Sequence, residues 1–347
     1  MTRPLLKIAI LYNLLERLDR GEEKDFIAEK AVLEEIGAVK EAVIDLGHQP
    51  FVITLQNEIE PVIQSLKEIQ PDVVFNLCEC VYGKASLEMA IPALLDLFRI
   101  PYTGSPPLTL GLCLDKGKAK DILISHGILT PQYKIFEEKS TPLRGNLFPL
   151  IVKPLREDGS LGISKESVVY DNEELNRQVQ YILSKYRQPV LVEKFIEGRE
   201  LNVGLMERNG GVDVLAVSEI DYSEFPEGIP KICGYEAKWV PESVEYQKSK
   251  PICPAPLDWV LQKRVEYLAI KVFKLFGCRD YARVDMRVDQ AGKIYVLEVN
   301  PNPDISPQSG MFRAIQASGM TYPEFIQNLI ERAYQRRDSL PIPNRFS

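Results

Sequence analysis

The chain has 347 residues, and its net charge of −7 argues against nucleic acid or an anionic membrane as the main partner. With 45% hydrophobic and 26% charged residues it reads as an ordinary soluble globular protein of roughly two or three domains. No stretch approaches the ~18 uninterrupted apolar residues of a membrane helix. The N-terminal apolar run turns charged again at Glu16 and lacks a small-residue cleavage site, so the expectation is a cytoplasmic chain without a signal peptide. Only two histidines occur, His48 and His126, and the six cysteines lack zinc-type spacing. That argues against a histidine triad or a multi-histidine metal site and leaves the chemistry to Lys, Arg and carboxylates.

In chain order, residues 6–12 (LKIAILY) read as a buried parallel strand. Apolar spacing at Ile27, Val32, Ile36, Val39 and Val43 predicts a helix over 25–46, ending at Gly47. A strand at 51–55, a helix at 61–69 and a strand in PDVVFNL follow, then a helix at 87–98 and the turn-rich IPYTGSPP. Strands alternating with helices predict a doubly wound parallel α/β domain over residues 1–115. Ligands bind beyond the carboxyl ends of such strands, which selects residues 13–20 and 79–86. Neither segment is glycine-rich enough to cradle phosphate.

Residues 116–203 and 204–347 are expected to form two further lobes. A helix at 118–125 leads to a strand in HGILTPQYKIF, and the next strand ends at Lys153-Pro154, ahead of Gly159-Ser160-Leu161-Gly162. A lysine and a glycine loop there could hold phosphate through an ammonium and main-chain N–H groups. Taken alone, the segment suits an ordinary hairpin turn better. A helix at 172–184, a strand at 190–196, a turn at 197–199 and a strand at 200–206 come next. Residues 207–250 look irregular and are expected as a functional loop. A helix at 256–276 then delivers the chain to YARVDMRVDQAGKIYVLEVNPN, and a last helix spans 322–334.

That segment reads as a hairpin. A turn at 289–292 pairs Val288 with Lys293 and sets Arg283 opposite Glu298. Arg283, Asp285, Glu298 and Asn300 then share one face, with Ala282, Val284, Met286, Val288, Tyr295, Leu297 and Val299 on the other. The polar face is either a solvated surface with ion pairs or a magnesium site of hard oxygen donors, and the hairpin alone leaves the two balanced.

Lys116, Lys153-Pro154, Gly159-Ser160-Leu161-Gly162, VEKFIEGRE, YEAKW, ARVD and LEVNPNP together follow the order and spacing of ATP-grasp enzymes. Over about residues 70–335 the chain resembles D-alanine–D-alanine ligases. The resemblance implies a two-lobed ATP-grasp fold after the doubly wound domain, with ATP between two antiparallel sheets. It also implies a reaction in which ATP phosphorylates a carboxylate and an amine attacks the acyl phosphate. By resemblance, Lys116 and Lys153 hold the ATP phosphates beneath a loop carrying Ser160. Glu193, Lys194 and the backbone of Phe195 and Ile196 hold adenine, and Glu200 the ribose. Lys238 reaches the γ-phosphate, Arg283 stabilises the acyl phosphate and the oxyanion, and Asp285, Glu298 and Asn300 carry two Mg²⁺ ions, replaceable by Mn²⁺. Glu16, Glu79, Lys84, Arg283 and Ser309 fall in the substrate-binding segments. A homodimer through the first domain follows the family.

The departures lie on the substrate side. YNLLERLDRGEEKD lacks the family's glycine pair and leaves Glu16 as the nearest acid. In CECVYGKAS, Glu79 replaces a histidine and Lys84 falls near the family's acid. Trp239 replaces a tyrosine and Asp304 a glycine. The pattern implies an active ligase with a different substrate pair. Lys84 points to a carboxyl donor with an added anion or without the usual ammonium, unless it is a plain surface lysine. An authentic D-alanine–D-alanine ligase, an ATP-grasp kinase and a non-catalytic nucleotide-binding protein are the alternatives.

Overall fold

The computed structural model describes residues 4–14, 21–22, 26–139, 141–145, 147–208 and 210–339, with the side chains of 26–31 and 338–339 outside the description. Strands β1 (Lys7–Asn13), β2 (Gln49–Leu55) and β3 (Val73–Asn76) form a parallel sheet in the order β2-β1-β3. Alternation along β1 feeds two cores. Ile8, Ile10 and Tyr12 pack with Ile36, Val39 and Val43 of α1 (Phe26–Asp45). Ala9 and Leu11 pack with Val62 and Leu66 of α2 (Glu60–Ile69) and with Ile91 and Leu95 of α3 (Ala90–Phe98). A parallel sheet that is apolar on both faces requires this double cover. Helix α3 starts later than its pattern suggests because residues 85–87 form a 3-10 turn. Helix α4 (Pro107–Leu114) occupies a stretch without helical periodicity, entered through a proline pair.

Helix α5 (Lys116–Ser125) is capped by Asp115, whose carboxylate accepts from the Lys118 N–H at 3.1 Å. Strands β4 (Tyr133–Phe136), β5 (Leu150–Pro154), β6 (Val168–Val169) and β7 (Val190–Lys194) build an antiparallel sheet in the order β4-β7-β5-β6. Helix α6 (Asn172–Tyr186) covers one face, with Leu175, Val179 and Ile182 against Leu150, Val152, Val190 and Val192. By alternation, Lys153 and Glu193 lie on the other face.

The largest sheet contains β8 (Arg199–Arg208), β9 (Gly211–Val214) and β10 (Ser218–Asp221). After the short helices α7 (Tyr235–Trp239) and α8 (Val244–Lys248) it gains β11 (Lys250–Ile252). Beyond α9 (Trp259–Leu275) come β12 (Tyr281–Val288) and β13 (Ile294–Asn300), and the order is β11-β10-β8-β12-β13 with β9 beside β8. Residues 207–250 are therefore not irregular throughout, but their elements are too short to show a period. Position 203 lies inside the unbroken β8. Helix α9 packs Val265, Ala269, Val272 and Phe273 on Leu201, Val203, Val284 and Met286. The opposite face carries polar residues. Helices α10 (Gly310–Ala317) and α11 (Tyr322–Gln335) end the fold, and α11 returns Phe325, Leu329 and Ile330 to the core beside β1.

The β12–β13 hairpin corrects the expected register. Its turn spans residues 289–293, so Val288 pairs with Ile294 rather than Lys293. The Asp289 carboxylate accepts from the N–H groups of Ala291 and Lys293, both at 2.9 Å, which holds the wider turn. That turn alone would aim Glu298 at the core. A β-bulge at Leu297, between the pairs Met286–Val296 and Asp285–Glu298, shifts the strand back. Ile294 and Val296 thus join Val299 in the core, where Tyr295 and Leu297 were expected, and Arg283 faces Asn300 rather than Glu298. The four polar residues still share one face.

Candidate active site

Asp285 sits at the centre of the polar face and accepts four hydrogen bonds. The Arg283 guanidinium donates twice, at 2.8 and 2.9 Å, and the amides of Asn202 and Asn300 donate at 2.7 and 2.9 Å. This two-pronged arginine contact suits an ionised carboxylate. Burial disfavours the Arg283 charge, but Asp285 reverses the effect and keeps the guanidinium firmly protonated.

Across the hairpin, a Glu298 carboxylate oxygen lies 3.3 Å from the Lys116 ammonium. Lys116, only 5% exposed, also donates to the Glu157 carbonyl at 2.7 Å and the Asp158 carboxylate at 3.1 Å. Burial would lower the Lys116 pKa, yet Asp158 and Glu298 drive it up. Burial would equally raise Glu298, but Lys116, Lys153, Arg283 and Lys238 together hold its carboxyl far below the usual range. Both groups are therefore charged at neutral pH.

A second pair faces this one. Glu193, 1% exposed, binds the Lys153 ammonium at 2.7 Å and the Lys120 ammonium at 2.6 Å. Burial pushes its carboxyl up, and the two lysines outweigh burial and bring it below its ordinary value. Lys120 also donates to the Thr130 hydroxyl at 2.8 Å. Sequence reasoning missed Lys120, although it follows Lys116 by four residues and so shares its helix face.

Glu200 accepts from Arg287 at 2.5 Å and from the Tyr222 hydroxyl at 3.1 Å. Arg287 also donates to the Ile196 carbonyl at 2.8 Å and to the Lys231 carbonyl, and its guanidinium lies 4.9 Å from the Phe195 ring centroid. The period of two linking Arg283 to Asp285 extends to Arg287, a signal present in the sequence. The Lys194 ammonium donates to the carbonyls of Leu147 and Phe148 at 3.0 and 2.9 Å.

Ser160 has a φ of 64°, and its hydroxyl donates to the Cys233 carbonyl at 2.9 Å. Lys238 lies on α7. On the far side, Glu16 lies outside the described residues. Glu79 and Lys84 are exposed, and the Lys84 main chain pairs with Val81. Ser309 caps α10, accepting from the Phe312 N–H at 3.0 Å. Glu88 was unforeseen. It is 7% exposed and accepts at 3.2 Å from Asn302, which itself accepts from the Tyr281 hydroxyl at 2.9 Å. Burial, Asp158 and Glu79 raise its pKa well above 4.5.

Two carboxylates and an amide oxygen are hard donors of the kind that suits magnesium. No cluster of three His, Cys, Asp or Glu able to hold an ion occurs among the described residues. An ion with those ligands would be held by one or two carboxylates and completed by phosphates and water.

Two antiparallel sheets, with buried lysines, hard carboxylates and a glycine loop between them, define an ATP-grasp fold. Residues 122–331 match the family model for the D-ala D-ala ligase C-terminus. The D-alanine–D-alanine ligase of Aquifex aeolicus is 33% identical over 297 residues, covering 84% of this chain and 92% of that protein. An uncharacterised protein of Sinorhizobium fredii is 33% identical over 306 residues, 88% of this chain and 86% of its own. The structure of D-alanine–D-alanine ligase from Bacillus anthracis complexed with ATP shares the fold, with a TM-score of 0.74 at 23% identity over 96% of this chain and 99% of that one. The chain belongs to the D-alanine–D-alanine ligase family of ATP-dependent C–N ligases.

Proposed function

We propose that this ligase joins a carboxylate to an amine through an acyl phosphate, with ATP ending as ADP and phosphate. The observation that carries the reading is the pairing of Lys116 with Glu298 and of Lys153 with Glu193 in one buried cleft. Each ammonium is already held in place, so a polyphosphate meets a positioned charge rather than a mobile one. Lys116 and Lys153 hold the phosphates, and Ser160 covers them. Glu193, Lys194 and the backbone of Phe195 and Ile196 hold adenine, while Glu200 takes the ribose hydroxyls. Asp285, Glu298 and Asn300 would hold two Mg²⁺ ions, or Mn²⁺ in their place, whose chemistry is to neutralise charge on the phosphate oxygens. Lys238 meets the γ-phosphate. Arg283, next to the metal ligands, stabilises the negative oxygen that forms when the amine attacks the acyl carbon.

The substrates differ from two D-alanines in this reading, because Asp304, Glu79 and Trp239 change the substrate side. Asp304 and Glu79 supply negative charge there, which favours an ammonium-bearing substrate, and exposed Lys84 then reads as a surface lysine. The second reading, an authentic D-alanine–D-alanine ligase, is favoured by the names of the relatives. The proposed division is into three parts, 1–115, 116–203 and 204–347, with the second boundary drawn back to Arg199 so that β8 stays whole in the last part, and the proposed compartment is the cytoplasm. A homodimer through the first domain is supported by exposed Leu87, Met89, Leu97 and Leu108. Among the described residues no helix is long and apolar enough to cross a membrane.

The test is ADP release from Mg²⁺-ATP across a matrix of amino acids, dipeptides and hydroxy acids, singly and in pairs. A required pair, with a product mass equal to both minus water, is expected. A single acceptor that gains one phosphate would make the protein a kinase instead.

A further inference from the structure

The segment that carries Lys238 is bonded to the glycine loop at three points. The Ser160 hydroxyl donates to the Cys233 carbonyl at 2.9 Å, and the Tyr235 N–H donates to the Ile163 carbonyl at 2.7 Å. The Trp239 indole N–H donates to the Gly159 carbonyl at 3.0 Å. The approach is tight, since a Cβ on Gly234 would lie 3.0 Å from the Ile163 carbonyl oxygen. The glycine loop is not at rest by itself. Gly159 and Ser160 both have φ of 64°, a region a serine occupies only when its surroundings hold it there. Two of the three bonds end on these two residues.

We infer that Trp239 is a positioning residue that makes the covering segment and the glycine loop one body. The inference rests on the nucleotide reading above and deepens it. An indole has one donor and no acceptor, so Trp239 can only close onto a carbonyl, and Gly159 offers one. The bond keeps Ser160 in its left-handed conformation. It also fixes the end of α7, and with it Lys238, whose charge reaches Glu298 and Cys233. The two groups meant for the phosphates, Ser160 and Lys238, thus come from distant parts of the chain and are set by one contact. Nucleotide must part that contact to enter or leave.

The chain has two tryptophans, and the other, Trp259, is 73% exposed at the start of α9. In a Trp259→Phe protein without nucleotide, Trp239 is the sole indole, and its acrylamide quenching reports its cover. Ser160→Ala in that background is expected to raise the quenching about threefold, because releasing one bond loosens the other. Unchanged quenching would overturn the coupling whatever the ligand. Trp239→Phe keeps the ring and removes the N–H, and stopped-flow release of a fluorescent Mg²⁺-ADP analogue is expected to quicken about tenfold. Equal release rates in variant and parent overturn the role of Trp239 alone. A parent protein that binds no nucleotide overturns the nucleotide reading, and this inference with it.

Discussion

At the scale of single residues, the cleft consists of charges that burial alone would forbid. Glu298 stays ionised because four cations surround it, so Glu298→Ala removes a proposed metal ligand and leaves Lys116 with the Asp158 carboxylate and the Glu157 carbonyl. ADP release is expected to fall at least about a hundredfold, as for loss of one charge-stabilising group, with the circular dichroism spectrum unchanged. Lys153→Ala should behave alike. Glu88 works in the opposite sense. Its folded pKa stands above 4.5 through burial first, so below that value folded and unfolded forms are both protonated and it costs nothing. As pH rises past 4.5 the unfolded form ionises and the folded form does not, so stability falls until the folded pKa is reached. Glu88→Gln keeps an acceptor for Asn302 and cannot ionise. Its melting temperature is therefore expected to gain on the parent between pH 5 and pH 8, measured by calorimetry, and to match it near pH 4.

At the scale of elements, the joint between the sheets is backbone against backbone. Gly198, between β7 and β8, has a φ of 148°, and a Cβ there would lie 2.0 Å from the Val288 carbonyl oxygen at the end of β12. Gly198→Ala is expected to cost about 3 kcal/mol or more in urea unfolding, since neither the dihedral nor the carbonyl can yield cheaply. The sequence alone showed that a turn lay here, and that β12 and β13 formed a hairpin with its carboxylates on one face. It did not show the register. Turn length and a bulge are both set by local hydrogen bonds, here those of Asp289, and composition carries no trace of a bulge. Lys120 and Arg287 are legible by period, one as the i+4 neighbour of Lys116 and the other as the next residue on the face of Arg283 and Asp285. Glu88 was not, because a glutamate in SLEMAIP looks like any exposed helix residue until Asn302 arrives from more than two hundred positions away.

At the scale of the whole molecule, the first sheet is fastened to the last by one buried acid. Asp280, 0% exposed, accepts from Arg336 twice at 2.7 Å, from Arg332 at 3.4 Å and from the Gly104 N–H at 2.9 Å. Arg336 also reaches the Tyr102 carbonyl at 2.7 Å, and Arg279 reaches that of Gly104 at 2.8 Å. The chain between residues 102 and 109 is thereby tied to the start of β12, the strand bearing Arg283 and Asp285. Asp280→Asn removes the carboxylate that Arg336 grips twice, while Arg332 keeps Glu207 at 2.6 Å, and is expected to cost about 3 kcal/mol in denaturant unfolding. Limited proteolysis should then cut first near residues 102–109. Fastening of this kind joins residues far apart in the chain, so no local pattern announced it.

The bulge at Leu297 seats Asp285 and Glu298 directly across from one another, where a four-residue turn would have left them on a diagonal. Like charges in that relation weaken a hairpin. Arg283 and the lysines Lys116, Lys153 and Lys238 offset the repulsion in part, and a divalent ion held by the two carboxylates would offset it further. Loading and folding then become one equilibrium. The melting temperature should climb with the logarithm of free Mg²⁺ in the absence of any nucleotide, and Glu298→Gln should flatten that climb.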